Sequence, residues 1–121
     1  MKIISFEGIE GVGKSTQINL LKDYLESKGL TVTVLREPGS TITGESIRSI
    51  LLDSKENLSE ESELLLMFAA RAQLISEKVL NNNVDVILFD RFYDASIAYQ
   101  GFGRGLSINF IKNLIDFTKC P

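Results

Sequence analysis

The sequence predicts one α/β domain, residues 1–121, in which helices flank a parallel sheet. Apolar, strand-like runs alternate along the chain with segments of helical periodicity. No repeat, linker or low-complexity stretch divides the 121 residues, and 44% apolar content suffices for one core. Each predicted strand is followed by polar residues. Parallel strands connected through helices bring their carboxyl ends to one edge of the sheet, where α/β proteins bind ligands.

Three strands are predicted, at residues 2–6, 31–35 and 84–89. The first helix is predicted at residues 15–28, with Gly29 as its stop. Thr43 is predicted to cap a short second helix, and Ser59 is predicted to cap a third helix that runs to about Leu80. Ser107 is predicted to cap the last helix. The third helix is apolar almost all round over residues 64–70, which predicts burial against the sheet. The first helix is expected to bury Ile18, Leu20, Leu21, Tyr24 and Leu25, and the second to bury Ile47, Ile50 and Leu51. The last helix is expected to bury Ile108, Ile111, Leu114 and Ile115.

Between the first strand and the first helix lies the segment GIEGVGKS, from Gly8 to Ser15. Glycine, four residues and then Gly-Lys-Ser is typical of loops that bind nucleotide phosphates. The glycines let backbone N–H groups point at an anion, and the following helix adds its positive N-terminal end. The pattern predicts that Lys14 contacts the β and γ phosphates and that the Ser15 hydroxyl binds Mg²⁺. The glycine spacing differs from GxGxxG, which argues against a dinucleotide-dependent dehydrogenase.

Composition excludes several classes of function. The net charge of −3 and a pI of about 5.0, without a basic stripe, argue against a nucleic-acid partner. Histidine is absent, so neither a histidine-dependent triad nor a histidine metal site is expected. Cys120 is the single cysteine, which excludes an internal disulfide. The first apolar run is too short for a signal peptide and no run suits a membrane span, so a cytoplasmic protein is expected.

Two charged residues, Asp90 and Arg91, follow the third predicted strand. We expect Asp90 to bind Mg²⁺, directly or through water, and the alternative is a helix cap. Arg91 suits bidentate binding of a phosphate, and the alternative is a surface salt bridge. Both residues are therefore candidates for the same nucleotide site as Lys14.

Two further charged residues stand in unusual surroundings. Arg71 lies in the apolar stretch 64–74, where an unpaired guanidinium would be costly, so it should reach water, pair with an acid such as Glu37 or face a ligand. Glu10 places a carboxylate inside the phosphate loop, where it either accepts from a hydroxyl of a second substrate or points to solvent. A nucleotide kinase needs cations for two phosphorylated substrates and no strong general base, which fits a chain without histidine.

A set of motifs stands in a fixed order along the chain: FEGIEGVGKSTQ at 6–17, REPG at 36–39 with Thr41, GE at 44–45, IR at 47–48, FAARAQ at 68–73, DRF at 90–92, AYQG at 98–101 and GRG at 103–105. Taken together, these motifs resemble those of bacterial thymidylate kinases. This resemblance implies the P-loop nucleoside monophosphate kinase fold and transfer of the γ-phosphoryl group of ATP to dTMP, with Mg²⁺, giving dTDP. It also implies a homodimer for the full-length protein.

The resemblance also implies roles for individual residues. Glu10 is expected at the sugar 3′-hydroxyl, Arg71 at the thymine ring and Arg91 between the donor and acceptor phosphates, so Lys14, Arg91 and Glu10 are the catalytic candidates. Ser15 and Asp90 are the metal candidates. ATP is expected at Gly8, Ile9, Glu10, Gly11, Val12, Gly13, Lys14, Ser15 and Thr16. The acceptor is expected at Glu10, Glu37, Arg48, Met67, Arg71, Arg91, Ser96, Tyr99 and Gln100, where Glu37 and Arg48 line the monophosphate site and Tyr99 disfavours a 2′-hydroxyl.

The chain departs from the family pattern at several positions. Met67 stands where the family usually has a phenylalanine that stacks on thymine, and Ser40 replaces a second glycine after Arg-Glu-Pro-Gly. Gly11 stands where another subgroup carries a catalytic arginine, and members of this kind resemble enzymes that supply that charge from a mobile lid. Family members continue beyond Pro121 with two further strands and the lid, so the sequence is expected to be an N-terminal portion that leaves the first strand at a sheet edge.

Two other functions remain as alternatives. One is a nucleotide-binding regulatory module, although a GTPase should show Asp-x-x-Gly where Asp90 is followed by Arg91 and Phe92. The other is a catalytically inactive fragment, which the expected absence of the lid favours.

Overall fold

The computed structural model describes residues 1–7, 13–53, 57–91 and 108–118. Strands and helices alternate over these residues, which confirms the predicted α/β architecture. The elements are β1 (Lys2–Glu7), α1 (Lys14–Ser27), β2 (Val32–Glu37), α2 (Ile42–Leu52), α3 (Glu60–Leu74), a π-helical turn (Ile75–Val79), β3 (Val86–Arg91) and α4 (Ile108–Phe117).

The three described strands form one parallel sheet in the order β1-β3-β2. The central strand β3 pairs with both neighbours, and Leu88 lies opposite Ile4 on one side and Val34 on the other. Strands β2 and β3 each end two residues later than predicted, at Glu37 and Arg91, because the ladder continues in register. As expected, β1 lies at an edge of the described sheet.

Alternate residues of β3 face opposite sides of the sheet, as the strand pleat requires. Ile87 and Phe89 join a buried cluster with the end of α3 and the π-helical turn, while Val86 and Leu88 join another with α1. Helices therefore cover both faces, and burial of β3 on both sides explains its continuous apolar sequence. The first cluster contains Leu35, Leu74, Ile75, Val79, Ile87 and Phe89, and the second contains Ile18, Val86 and Leu88 with half-buried Ile4, Phe6, Leu21, Leu25 and Val32.

Helix α1 begins and ends next to glycines with left-handed backbone angles. Gly13 precedes it with φ 81°, and Gly29 follows it with φ 83° and donates its N–H to the Glu26 carbonyl, which confirms the predicted stop. The apolar stripe of α1 is narrower than predicted: the side chains of Leu20 and Tyr24 are exposed, because only the positions of Ile18, Leu21 and Leu25 point at the sheet.

Helix α2 is capped by Thr41, so the prediction of Thr43 as the cap is wrong. The Thr41 hydroxyl accepts a hydrogen bond from the Gly44 N–H at 2.8 Å, while Thr43 lies within the first turn. A Cβ at Gly44 would lie 2.7 Å from the Gly39 carbonyl oxygen and 2.8 Å from the Thr41 hydroxyl. The glycine therefore permits the close contact between the start of α2 and the preceding loop. Ile47 is buried as predicted, but Ile50 is exposed.

Helix α3 begins at its predicted cap, since Ser59 accepts a hydrogen bond from the Ser62 N–H. The predicted single helix changes to the π-helical turn after Leu74. Only part of its surface is buried: Leu65 is 51% exposed, whereas Leu64, Met67 and Phe68 pack with half-buried residues of α4. The N-terminal half of α3 thus packs on a helix, and its C-terminal end packs on the sheet.

Helix α4 contributes Leu114 and Ile115, two of its predicted apolar positions, to that contact. The predicted cap Ser107 lies outside the described residues, as do the side chains of Ile108 and Ile111. None of the helices in the described ranges combines the length and apolar character that crossing a membrane requires.

Candidate active site

The three strand ends meet at one edge of the sheet, as the sequence predicts. Glu7, Arg91 and Glu37 are register partners across β1, β3 and β2, and Asp90 lies between Phe6 and Arg36 in the row before them. These positions are the carboxyl ends of parallel strands, which is where ligands bind in α/β sheets.

Lys14, the first residue of α1, reaches this edge. Its side chain is 6% exposed, and its Nζ lies 2.7 Å from Asp90 Oδ1 and 3.0 Å from the backbone oxygen of Arg91. The left-handed angle at Gly13 turns the chain into the helix immediately before Lys14. The structure thus joins the end of the glycine-rich segment to the end of β3, through a pair that the sequence analysis did not predict.

The pleat of β3 sends Asp90 and Arg91 to opposite sides of the sheet. Asp90 faces the same side of the sheet as Val86 and Leu88, and it contacts Lys14 of α1. Arg91 faces the same side as Ile87 and Phe89, and it contacts Glu37. Two adjacent residues therefore supply an acid to one side of the edge and a cation to the other.

Glu37 lies between two arginines at the end of β2. Its side chain is 2% exposed; Oε1 accepts a hydrogen bond from Arg71 Nε, and Oε2 lies 2.9 Å from Arg91 Nε. Of the three surroundings proposed for Arg71, pairing with Glu37 is confirmed. A buried guanidinium needs such a counter-ion because desolvation of an uncompensated charge is costly. Arg91 also pairs with a buried carboxylate, so the surface salt bridge suggested for it is wrong.

Both arginines also lie over aromatic rings. The Arg71 guanidinium carbon lies 5.1 Å from the Phe68 ring centroid, and that of Arg91 lies 5.0 Å from the Phe89 ring centroid. These distances are within the range of cation–π attraction. Each guanidinium therefore contacts the Glu37 carboxylate and one aromatic ring. The ring beside Arg71 belongs to α3, as Arg71 does, and the ring beside Arg91 belongs to β3, as Arg91 does.

The loop after β2 packs against α2 through Arg48. The Arg48 side chain is 6% exposed and donates from Nη1 to the Pro38 carbonyl oxygen at 3.1 Å. The peptide bond between Glu37 and Pro38 is cis. Arg48 is therefore buried although it lies on a short helix, and its backbone contact lies one residue from Glu37.

Ser40 and Glu45 close the same loop at its exposed side. Ser40 adopts φ 66°, and its hydroxyl accepts from the Arg36 N–H at 2.7 Å and donates to the Arg36 carbonyl at 3.1 Å. Glu45 accepts from Arg36 at 2.9 and 2.5 Å and from the Ser40 N–H at 3.1 Å. The Arg36 hydrogen bonds lower the pKa of Glu45, and the same pair raises the pKa of Arg36. No periodicity relates residues 36, 40 and 45, so the sequence analysis missed this closure.

Three further predicted site residues lie within the described ranges. Ser15 and Thr16 are exposed on the first turn of α1, and Met67 is 3% exposed in the cluster with Leu64 and Phe68. At the carboxyl edge of the sheet the structure forms two contact groups, Lys14 with Asp90, and Glu37 with Arg71 and Arg91. Outside the described residues lie Gly8, Ile9, Glu10, Gly11, Val12, Ser96, Tyr99 and Gln100.

Comparison with known proteins identifies the family. The family model for thymidylate kinase matches residues 6–119, nearly the whole chain. The chain belongs to the thymidylate kinase family. A thymidylate kinase of Thermosipho africanus is 53% identical over 118 residues, which cover 95% of this chain. That of Chlorobaculum tepidum is 46% identical in a match that covers 98% of this chain.

A solved thymidylate kinase has a similar fold. The crystal structure of the enzyme from Ehrlichia chaffeensis superposes with a TM-score of 0.77 at 39% sequence identity, covering 97% of this chain and 65% of that one. The chain spans 58% of the Thermosipho thymidylate kinase and 56% of that from Chlorobaculum. The matched part thus corresponds to a little over half of each of these two relatives.

Proposed function

We propose that this member of the thymidylate kinase family acts in phosphorylation of dTMP to dTDP with ATP as donor. A phosphate oxygen of dTMP forms a bond to the γ phosphorus while the bond to the β–γ bridging oxygen breaks and ADP leaves. The observation that carries the proposal is that Lys14, Arg71 and Arg91 each pair with an acidic residue at the carboxyl edge of the sheet, in a chain whose relatives are thymidylate kinases. Three cations suit a reaction in which two phosphorylated molecules meet.

On the donor side, we assign the ATP phosphates to residues 8–16, with Lys14 as the cation for the β and γ phosphates. The position of Lys14 at the start of α1 supports this role, because the helix N-terminus and the ammonium act on the same anion. Glu10 is assigned to the sugar hydroxyl of the acceptor, in keeping with the family resemblance.

Mg²⁺ is proposed as the cofactor, with Ser15 and Asp90 as the residues that hold it. A hydroxyl and a carboxylate are hard oxygen donors, which fit Mg²⁺, and such sites complete their shell with water and substrate phosphates. No group of three or more acidic or cysteine side chains gathers within the described ranges, so a protein-only cage is not expected there. When bound, Mg²⁺ neutralises charge on the phosphates.

On the acceptor side, we assign Arg71 to the thymine ring and Arg91 to the phosphates of both substrates. Burial supports these roles, because a guanidinium screened from water binds an anion or a carbonyl oxygen more strongly. We assign Arg48 to the monophosphate, and its contact with the loop after β2, next to Glu37, supports this assignment. The remaining acceptor contacts are assigned by resemblance to Met67, Ser96, Tyr99 and Gln100.

The test is ADP release in the presence of dTMP, dUMP, AMP and CMP by the natural full-length product, meaning this chain with any coding sequence that continues beyond Pro121. We expect preference for dTMP and loss of turnover by several orders of magnitude in Lys14→Ala. Lys22→Ala is the matched control, because Lys22 lies on the same helix in an exposed pair with Glu26. Equal turnover of all four nucleotides refutes the substrate, and an active Lys14→Ala variant refutes the site.

A second proposal concerns the 121 residues alone, which we expect to be catalytically inactive or very weak. It is favoured by the length of the relatives, because this chain covers only 58% of one thymidylate kinase and 56% of another. Measurable dTMP-dependent ADP release by the purified 121-residue chain contradicts it.

A homodimer is proposed for the full-length product, on the basis of the family resemblance. Light scattering coupled to gel filtration measures its mass directly, and a monomer at micromolar concentration contradicts this assignment.

A further inference from the structure

Within the described part of this edge, the carboxylate of Glu37 contacts two cations on different elements. Arg71 comes from α3, and Arg91 comes from the end of β3. The contacts use separate oxygens, Oε1 for Arg71 Nε and Oε2 for Arg91 Nε. Thirty-four residues separate Glu37 from Arg71, so this carboxylate links parts of the chain that are distant in sequence.

The charge of Glu37 is unsuited to binding an acceptor phosphate directly. A carboxylate beside a phosphate repels it, and this repulsion is strong where water is excluded. The side chain is 2% exposed, and both of its oxygens contact guanidinium groups. Glu37 therefore acts on an anionic ligand through the arginines, whose two charges exceed its own by one.

We propose that Glu37 is a positioning residue that fixes the separation and orientation of Arg71 and Arg91. The rings of Phe68 and Phe89 support the same orientations, since each lies about 5 Å from one guanidinium carbon. This inference rests on the proposed function, in which one arginine meets the base of dTMP and the other meets its phosphate. Glu37 then couples the two ends of the acceptor site, so a nucleoside monophosphate gains from both contacts at once.

The experiment measures steady-state kinetics of the full-length product with Glu37→Gln, Glu37→Asp and the control Glu45→Gln. Glutamine keeps the shape but places an amide N–H₂ against one of two guanidinium donors, so Arg71 and Arg91 lose their shared anchor. We expect Glu37→Gln to raise the KM for dTMP about tenfold or more and to lower kcat, and to raise the KM for ATP less, because only Arg91 of the two arginines is assigned to the ATP phosphates.

The other variants separate positioning from general structural damage. Glu37→Asp keeps the charge but is one methylene shorter, so we expect partial rescue of kcat. Glu45→Gln removes an exposed partner of Arg36 at the start of α2 and should leave both KM values unchanged within about twofold. An unchanged KM for dTMP in Glu37→Gln, or equal changes for dTMP and ATP, overturns the proposal.

A second measurement leaves Glu37 intact in case its replacement prevents folding. The dissociation constant of dTMP is measured for Arg71→Gln, Arg91→Gln and the double variant. If Glu37 couples the arginines, the fold increase in the dissociation constant of the double variant is about tenfold smaller than the product of the two single increases. If the arginines act independently, the two single increases multiply. Independence within about twofold overturns the positioning role. Failure of the unaltered full-length product to bind and phosphorylate dTMP overturns the proposed function as well.

Discussion

Two glutamates at the same edge of the sheet bind arginines in different surroundings. Glu37, at the end of β2, is 2% exposed and contacts Arg71 and Arg91. Glu45, in the first turn of α2, is 41% exposed and binds Arg36 through both oxygens. Water can replace the partner of Glu45 but not the partners of Glu37, so the same chemical pair should contribute very differently to stability and to function.

The largest expected difference comes from removing each carboxylate. Glu37→Ala should lower the free energy of unfolding by about 3–5 kcal/mol, because two guanidinium groups lose their buried counter-ion. Urea unfolding measures the loss, with Glu45→Ala as the control. Equal losses in the two variants would show that burial does not separate the two glutamates.

A smaller effect tests whether backbone fit, rather than the exposed pair, holds the loop before α2. Alanine in place of a helical glycine normally stabilises by about 1 kcal/mol. At Gly44 the added Cβ would lie 2.7 Å from the Gly39 oxygen, so we expect a net loss of about 1–2 kcal/mol. The control is Ser46→Ala on an exposed position of the same helix, which should change little. A stabilised Gly44→Ala variant contradicts the close contact.

The exposed pair itself should contribute little. Glu45→Gln is expected to reduce the free energy of unfolding by less than about 1 kcal/mol, because solvent screens both side chains. The loss should vanish near 1 M salt, where the Debye length is only about 3 Å. Unfolding curves at low and high salt measure this, and a salt-independent loss would indicate a buried contribution instead.

The smallest effect is the pH dependence of that pair. The Arg36 hydrogen bonds lower the pKa of Glu45 in the folded state. The resulting stabilisation is complete above the unfolded pKa of about 4.3 and is lost as the pH falls through the lower folded value. The stability difference between the unaltered protein and Glu45→Gln should therefore shrink below about pH 4. A difference that grows with acid has the wrong sign for this pair.

Much of the architecture could be predicted because it depends on local pattern. The strands follow from short apolar runs, and the α1 stop follows from Gly29. The meeting of the strand ends follows from parallel pairing alone. Family membership was also predicted from the motifs, and the match over residues 6–119 confirms it.

The failed predictions depend on how closely backbone segments and packed surfaces approach one another. Thr43 and Thr41 are both good caps by composition, and the choice depends on Gly44, whose missing Cβ lets its N–H approach Thr41. Leu20 and Tyr24 are exposed because the sheet covers only one side of α1. A sequence pattern shows the apolar positions of a helix but not how wide the surface opposite them is.

In the candidate site, the sequence indicated which charged residues take part more reliably than it indicated which of them contact each other. The apolar surroundings of Arg71 required an anion, and Glu37 was correctly named as a candidate. That Glu37 also contacts Arg91, and that Lys14 contacts Asp90, depends on the sheet register and on the pleat of β3. These features arise only when β2, β3 and α1 are assembled.

The alternation at the end of β3 also protects the sheet against mispairing. If β3 slipped by one position, the carboxylate of Asp90 would turn toward Glu37, and the guanidinium of Arg91 would turn toward the Lys14 ammonium. Like charges would then meet on both sides while the apolar residues exchanged faces. The Asp-Arg dipeptide thus penalises the wrong alignment electrostatically, so the chemistry of the site also helps to select the native strand alignment.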